Sequence, residues 1–374
     1  MKVLFLLGSL NRGGTETLVL DVLNNAMKYD FDVNCVYRIK GGAIENDFLN
    51  SNIKIDYLPY KGKNLIQYLL SLRNYVVKNK ITLLHAHQPV DALYSFFACI
   101  GLKLPVVLTL HGYDFNYSKI SSLILIFSLR LTNLNIYVSN TQRKYYIKKY
   151  NLKETKQSVV YNCIDYLKLP SIDTNSIEGI NLRKELGIDS NKLLIVTVGN
   201  FNEVRDQYTI CEFLKLLKTR FTNFHFVFIG GKVKSNPLLF EKCYQYCEYN
   251  NLMTNVSFLG IRKDVPQLLS QSDLFIYSTN HDTFGIAVVE AMATQIPVFV
   301  NDWGVMNEIT GVGKYATLYK TKDQIDLLRN FMLFLQDETD YKLKAKKAAD
   351  YVKEKFSIHT HINNLNKEYR KLFL

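Results

Sequence analysis

Short apolar runs alternate with amphipathic stretches along almost the whole chain, and this alternation restricts the fold more than any other feature. Runs such as 83–86 and 106–110 are too short for helices and are nearly continuous in Val, Leu and similar residues, whereas 65–78 between such runs has helical periodicity. Buried strands that alternate with helices predict a parallel sheet covered on both faces. The predicted strands are 2–7, 31–37, 53–58, 83–86, 106–110, 134–139, 193–198, 224–229, 256–260, 274–277 and 298–300.

The alternation stops once and then starts again, which predicts two domains. Residues 171–180 are polar without clear periodicity and are interpreted as the linker. A chain of 374 residues with 48% apolar residues is long enough for two cores. We therefore expect a domain over 1–168 and a second over 169–355, both doubly wound α/β. Ligands bind beyond the carboxyl ends of the strands in such sheets, so we expect a cleft between the two sets of strand ends.

The compartment is predicted to be the cytosol. The sequence has no run of eighteen apolar residues, and residues 1–10 lack the length and the small-residue cleavage site of a signal peptide. The cysteines have no spacing typical of a zinc site, and all are predicted to be reduced and structural.

The positive charge is concentrated in the first half of the chain. The formal net charge is +12, and Lys and Arg outnumber Asp and Glu by ten over 1–168 but by two over 169–374. This asymmetry predicts an anionic partner, which is a membrane surface, a nucleic acid or a phosphorylated substrate, unless the surface is merely soluble and basic. The apolar stretch 120–131 and the Lys- and Tyr-rich stretch 142–156 fit a membrane surface, or equally surface helices over a core. No nucleic-acid recognition motif accompanies the charge.

Two strand ends in the first half carry candidate ligand-binding residues. Gly13 and Gly14 follow the first strand in a loop that matches neither the G-x-G-x-x-G nor the P-loop pattern, so both fingerprints are absent. Adjacent glycines still let a ligand approach the backbone closely, although a plain strand-to-helix turn is the alternative. His111 follows the strand 106–110 beside Gly112, which gives it more weight than an isolated histidine.

The segment 281–301 carries the strongest candidate site. Asp282 and Glu290 lie eight residues apart, with Gly285 opening a helix between them. A helix N-terminus suits a phosphate, and carboxylates accept hydrogen bonds from hydroxyl groups. A nucleotide sugar would satisfy all of these groups together. The alternative is that Asp282 caps the helix and Glu290 lies on its solvated face.

In their order and spacing these pieces resemble the retaining glycosyltransferases of family four, which have the GT-B architecture of two Rossmann-like domains. The family's hallmark is two acidic residues separated by seven others, with Phe-Gly between them. Asp282, Phe284-Gly285 and Glu290-Ala291-Met292-Ala293 occupy those places. Further family-like motifs are Gly13-Gly14-Thr15-Glu16, Thr109-Leu110-His111-Gly112, Asn162-Cys163-Ile164-Asp165 and Gly260-Ile261-Arg262-Lys263-Asp264-Val265-Pro266.

The resemblance implies a role for each candidate residue. Arg205 would neutralise the leaving diphosphate, and Glu290 would hold the ribose hydroxyls. His111 would face the donor sugar from the first domain, and residues 356–374 would cross back to brace that domain. The implied catalytic residues are His111, Arg205 and Asp282, and the implied substrate-binding residues are Gly13, Gly14, Asn200, Arg205, Arg262, Thr283, Phe284, Gly285, Ile286 and Glu290.

The reaction implied is transfer of a hexose or N-acetylhexosamine from a nucleotide diphosphate sugar, with UDP favoured, to a hydroxyl of a glycan or lipid-linked glycan acceptor. It would retain the anomeric configuration, require no metal or other cofactor, and serve capsule or O-antigen assembly, with the protein peripheral on the inner face of the membrane. Asp282 replaces the usual glutamate and Asn200 replaces a common arginine. A nucleotide-sugar epimerase of the same architecture and a non-catalytic nucleotide-binding scaffold are the alternatives.

Overall fold

The computed structural model describes residues 1–11, 13–29, 31–60, 62, 64–169, 181–233 and 236–374. Their contacts divide the chain into two compact units. Unit 1 is Met1–Ile164 together with Phe356–Leu374, and unit 2 is Asp165–Lys355. The segment 171–180, interpreted above as the linker, lies outside the described residues.

The strands follow one another along the chain in both units. Those of unit 1 are β1 (Lys2–Ser9), β2 (Asp32–Ile39), β3 (Ile55–Tyr57), β4 (Leu83–Ala86), β5 (Val106–Leu110), β6 (Leu134–Tyr137) and β7 (Gln157–Val159). Those of unit 2 are β8 (Leu193–Val198), β9 (Phe224–Ile229), β10 (Val256–Gly260), β11 (Leu274–Tyr277), β12 (Val298–Asn301) and β13 (Thr317–Tyr319).

The α-helices lie between and after these strands. The helices of unit 1 that lie within residues 1–164 are α1 (Gly14–Ala26), α2 (Glu45–Leu49), α3 (Leu65–Lys78), α4 (Pro89–Ala98), α5 (Lys119–Leu131) and α6 (Asn140–Tyr150). The helices of unit 2 are α7 (Leu182–Leu186), α8 (Gln207–Lys218), α9 (Leu238–Tyr249), α10 (Val265–Ser270), α11 (Ile286–Ala293), α12 (Gly304–Ile309), α13 (Gln324–Gln336) and α14 (Glu338–Lys355). The last helix, α15 (Ile358–Arg370), belongs to unit 1.

In the described part of unit 1, seven parallel strands form a sheet in the order β3-β2-β1-β4-β5-β6-β7. β1 is buried along most of its length, because helices cover both faces of a central parallel strand. The strand order reverses between β1 and β4, and an open α/β sheet binds ligands at such a switch point. Helix α15 packs on α1 and adds Ile362, Leu365 and Tyr369 to this core.

Unit 2 repeats the arrangement with a parallel sheet in the order β10-β9-β8-β11-β12-β13 among its described residues. Its switch point lies between β8 and β11. The loops that follow these two strands therefore meet at the carboxyl edge of the sheet, where the candidate residues Arg205 and Asp282 are found.

The predicted α/β class with two parallel-sheet units is confirmed. Six predicted strands, β4, β5, β8, β9, β10 and β11, have the observed bounds. The sequence missed β7 and β13, which are three residues long and too short to show a period. The Lys- and Tyr-rich stretch 142–156 is helical only as far as Tyr150, because Asn151 adopts a left-handed conformation with φ 47° and terminates α6.

The cysteines at 35, 99, 163, 211, 243 and 247 are all buried free thiols. Within the described ranges, no helix combines the length and the hydropathy needed to cross a bilayer.

Candidate active site

The two loops at the switch point of unit 2 are joined by their backbones. The Asp206 N–H donates to the carbonyl of Ser278 at 3.1 Å, and the Asn280 N–H donates to the carbonyl of Val204 at 3.0 Å. The Thr279 hydroxyl adds a bond of 2.6 Å to the same Val204 carbonyl. The loop after β8 is therefore held against the loop after β11, which fixes the backbone on both sides of the candidate residues.

Arg205, Asp282 and Tyr277 form one polar cluster on these loops. Arg205 Nη1 lies 2.6 Å from Asp282 Oδ2, and the Tyr277 hydroxyl donates to the same carboxylate oxygen at 2.7 Å. The guanidinium carbon lies 4.8 Å from the centre of the Tyr277 ring, at cation–π distance. The side chains of Arg205 and Asp282 are 19% and 15% exposed, so solvent still reaches the pair. The sequence reasoning missed Tyr277, which is the last residue of the apolar strand β11 and gives no sign of a polar contact.

The second oxygen of Asp282 holds the backbone that leads into α11. Oδ1 accepts the N–H groups of Thr283 at 2.7 Å and Phe284 at 3.3 Å. Asp282 therefore does not cap the helix, because the residue at the cap position is Gly285. Both carboxylate oxygens of Asp282 therefore have partners within the protein. Oδ1 is bonded to the backbone of the loop, and Oδ2 is bonded to Arg205 and Tyr277.

Helix α11 begins with a conformation that favours glycine. Gly285 has φ 86°, and a Cβ there would lie 2.8 Å from Met306 Cε. No side chain of the described residues caps this end, so the first N–H groups of the helix, beginning with that of Ile286, give it a positive N-terminus that suits a phosphate. Glu290 lies on the same helix and is half-buried.

Two further donor-binding candidates hold other loops in this structure. Asn200 Oδ1 accepts the Gly231 N–H at 2.8 Å, which ties the loops after β8 and β9 together. The guanidinium of Arg262 makes four hydrogen bonds, two each to Asp264 and Glu185, and these bonds raise its pKa. The donor contacts expected of both side chains stay predictions, since the observed bonds are structural.

Unit 1 places its own candidates at the carboxyl edge of its sheet. Gly13 occupies the N-cap position of α1, where a Cβ would lie 2.6 Å from Glu16 Oε2, and Gly14 is the first residue of the helix. His111 follows β5 and is half-buried. Burial, with a smaller effect of His361, lowers the pKa of His111 to about 3, so the ring is neutral at pH 7.

Two more histidines end β4 beside His111. His87 Nδ1 lies 3.0 Å from His111 Nε2. His85 is bonded through Nε2 to the Thr109 hydroxyl at 2.7 Å and through Nδ1 to the Tyr369 hydroxyl at 2.6 Å. The contact to Tyr369 comes from α15, almost at the end of the chain, and no local sequence signal predicts it.

Two Rossmann-like sheets in succession are the architecture of the GT-B class, and the second sheet carries a cation and a helix N-terminus at its switch point. Residues 12–166 match the family model described as Glycosyltransferase Family 4, and residues 180–355 match the model described as Glycosyl transferases group 1. The chain belongs to the family four glycosyltransferases and is a transferase enzyme.

Known proteins of similar sequence or structure include bacterial glycosyltransferases and an Anabaena protein with UDP bound. The UDP-Gal:alpha-D-GlcNAc-diphosphoundecaprenol alpha-1,3-galactosyltransferase of Escherichia coli is 24% identical over 95% of this chain and 93% of its own length. The capsular polysaccharide biosynthesis glycosyltransferase CapH of Staphylococcus aureus is 23% identical over 78% of each chain. The crystal structure of Anabaena HepE with UDP and glucose has a TM-score of 0.83 at 20% identity, covering 99% of this chain and 100% of the other.

Proposed function

We propose that this glycosyltransferase moves a hexose or N-acetylhexosamine from a UDP-sugar to a hydroxyl of a lipid-linked glycan, with retention of the anomeric configuration. One observation carries the proposal. Arg205, held by Asp282 and Tyr277, lies on the loop that is bonded to the segment leading into α11. A fixed cation and a positive helix N-terminus are what a leaving diphosphate requires.

Each group then has a defined task. Arg205 and the first N–H groups of α11 bind the diphosphate and stabilise the charge that develops as the glycosidic bond breaks. Glu290 accepts hydrogen bonds from the ribose hydroxyls. The acceptor hydroxyl attacks from the face that the diphosphate leaves, so the leaving phosphate can take its proton. The counter-charge comes from protein groups, and we therefore expect transfer to continue in the presence of a chelator.

The known relatives support the choice of donor and acceptor. The name of the Escherichia coli relative gives UDP-galactose as donor and a diphosphoundecaprenol-linked sugar as acceptor, and the HepE structure contains UDP. The Staphylococcus aureus relative acts in capsule synthesis. A UDP-sugar and a lipid diphosphate-linked acceptor fit both these names and the basic first half of the chain.

One contact within the site opposes binding of the diphosphate. Asp282 already neutralises Arg205 at 2.6 Å. A diphosphate must then compete with this carboxylate for the guanidinium. Nucleotide binding without sugar transfer to any acceptor would contradict the proposed reaction.

Binding of UDP should raise the thermal unfolding midpoint. Ligand at about 100 times its Kd adds about 2.7 kcal/mol to the stability of the state that binds it. We expect a rise with UDP, a smaller rise with GDP or ADP and none with NAD. The Glu290→Ala variant should unfold at a similar temperature without ligand and lose most of the rise, because the ribose contact is gone. The absence of a rise with every nucleotide would contradict the donor site itself.

We further propose that unit 1 docks on an anionic bilayer through its helices α3–α6. The structure describes every residue from 64 to 153, a stretch with eleven Lys and Arg but only two carboxylates. These two, Asp91 and Asp114, are 0% and 4% exposed and are paired with Arg38 and Lys149. The described residues 64–153 therefore contribute no exposed carboxylate of their own, and Arg143 is paired with Glu154 just beyond them at 3.1 Å. Attraction to anionic lipid is worth about 1 kcal/mol per Lys or Arg near the surface.

Exposed apolar side chains accompany this charge. α3 packs against α4, and α4 packs against α5, so these helices form one layer on the sheet. On α5, Ile120, Leu123 and Phe127 are 72%, 54% and 55% exposed, and their spacing places them on one stripe. A stripe of large apolar side chains within a basic layer is typical of a surface that lies in the lipid headgroup region.

Flotation with lipid vesicles tests the docking surface. The protein should float with vesicles containing phosphatidylglycerol and remain unbound with pure phosphatidylcholine. Replacing Leu123 and Phe127 by Ser, or exposed Lys144 and Lys148 by Glu, should abolish flotation. Lys149 is unsuitable, because its Nζ holds Asp114 at 2.8 Å.

The matched control for this test changes the same charge in unit 2. Lys346 and Lys347 on α14 are exposed, and their replacement by Glu should leave flotation unchanged. Equal loss with both charge pairs would show that net charge alone drives the binding, and it would contradict a surface on α3–α6.

A further inference from the structure

His87 and His111 form a fixed pair at the carboxyl edge of the unit 1 sheet. The 3.0 Å contact joins His87 Nδ1 to His111 Nε2, and the two rings are nearly parallel, with centres 5.3 Å apart. His87 is 8% exposed, and the ring of Phe5 packs edge-on against it at 4.9 Å. Because this packing fixes the orientation of the His87 ring, it also fixes the geometry of the hydrogen bond to His111.

Either histidine could donate the proton in this hydrogen bond, and the surroundings of His87 Nε2 decide which of them does. Burial lowers the pKa of both histidines, so each ring carries a single N–H. If His111 donates from Nε2, the proton of His87 must sit on its own Nε2. That atom is buried and has no hydrogen-bond partner in the part of the chain that the structure describes. A buried N–H without an acceptor is rarer and more costly than an acceptor lone pair without a donor.

We infer that His87 is a positioning residue that donates its Nδ1–H to His111 Nε2 and thereby holds His111 as the Nδ1–H tautomer. His111 Nε2 is then occupied as an acceptor, and the only proton of the ring is on Nδ1. The consequence for catalysis rests on the proposed function together with the role that the family resemblance implies for His111, contact with the donor sugar. There His111 can donate a hydrogen bond to a sugar oxygen, and it cannot take a proton through Nε2.

The neighbouring His85 offers a control variant, because its hydrogen bonds lie close to the pair of His87 and His111 but do not involve them. Its ring centre lies 4.4 Å from that of His87, but both of its nitrogens have partners, the Thr109 hydroxyl and the Tyr369 hydroxyl. Replacing Tyr369 by Phe removes a buried hydrogen bond close to the pair without touching it. This variant separates a general disturbance of the region from loss of the donor on His87.

Nitrogen NMR of the full chain tests the tautomer without any substrate. In ¹⁵N-labelled protein, with the signals assigned from the spectrum of His111→Gln, His111 should show a protonated Nδ1 and an unprotonated Nε2. His87→Leu removes the donor at similar volume, and His111 should then shift towards the Nε2–H form. His87→Asn places an amide N–H near the lost Nδ1–H and should restore the first pattern, while Tyr369→Phe should keep it. A protonated Nε2 on His111 in the wild type would overturn the inference.

Kinetics connect the tautomer to the reaction. His87→Leu should lower kcat about tenfold, the effect of one hydrogen bond, while the KM for the UDP-sugar changes little. His87→Asn should recover most of this loss, and Tyr369→Phe should behave like the wild type. If the NMR pattern holds and His87→Leu keeps full kcat, the tautomer is positioned as inferred but His111 does not act on the sugar. If the wild type shows no transfer at all, the proposed function fails and the NMR result stands on its own.

Discussion

Replacing Arg205 by alanine should lower kcat/KM for sugar transfer about 100- to 1,000-fold, the loss seen when one preorganised donor to a developing negative charge is removed. The guanidinium is the cation that the proposed mechanism places on the leaving diphosphate. Its Nη1 is fixed at 2.6 Å from Asp282 Oδ2, and its carbon lies over the Tyr277 ring. Steady-state kinetics with UDP-sugar and acceptor measure the effect.

The fold should survive this change, because Asp282 keeps three other donors. They are the Tyr277 hydroxyl and the N–H groups of Thr283 and Phe284. Arg205→Lys keeps the charge without the planar fork and should lose less activity than Arg205→Ala. A variant without Arg205 that retains activity within about threefold of the wild type would contradict the place assigned to the diphosphate.

The Asp282→Asn variant separates the two roles open to the carboxylate. The amide oxygen can still accept the N–H groups of Thr283 and Phe284, but the negative charge beside Arg205 is lost. If the carboxylate competes with the diphosphate for Arg205, UDP should bind more tightly to this variant. Weaker UDP binding would show that Asp282 mainly orients the guanidinium.

The largest expected effect on stability is at a buried ion pair of unit 1. Arg38 Nε lies 2.5 Å from Asp91 Oδ1, and the two side chains are 10% and 0% exposed. Asp91→Ala should lower the free energy of unfolding of unit 1 by about 3–5 kcal/mol, because it leaves the guanidinium buried without its counter-charge. Urea unfolding followed by a probe in unit 1 measures this loss.

The double variant Arg38→Met with Asp91→Leu is the informative control. A well-packed apolar pair of similar volume often replaces a buried ion pair without loss of stability. We therefore expect the double variant to be more stable than Asp91→Ala alone. If the double variant is the less stable of the two, the packing of Tyr68 and Tyr94 around the pair stabilises unit 1, and the charge does not.

The local sequence pattern was sufficient to predict most of the fold. Near-continuous apolar runs with helical stretches between them determine parallel sheets, because strands covered on both faces must be apolar throughout. Periodicity failed where it had too few residues to act on, as in β7 and β13. Periodicity also does not mark the end of α6, where one left-handed residue stops the helix.

The sequence by itself determined where the candidate residues lie: the glycine turn after β1, His111 after β5, and the segment from Asp282 to Glu290. Only the tertiary structure decided what these side chains touch. Asp282 meets Arg205 across 77 positions of the chain, and His111 meets His87 across 24. Such pairs depend on which strands lie side by side in the sheet. A run of apolar residues shows that a strand is buried, but it does not show which strand lies beside it. Side chains that meet at a switch point therefore cannot be paired from the local sequence.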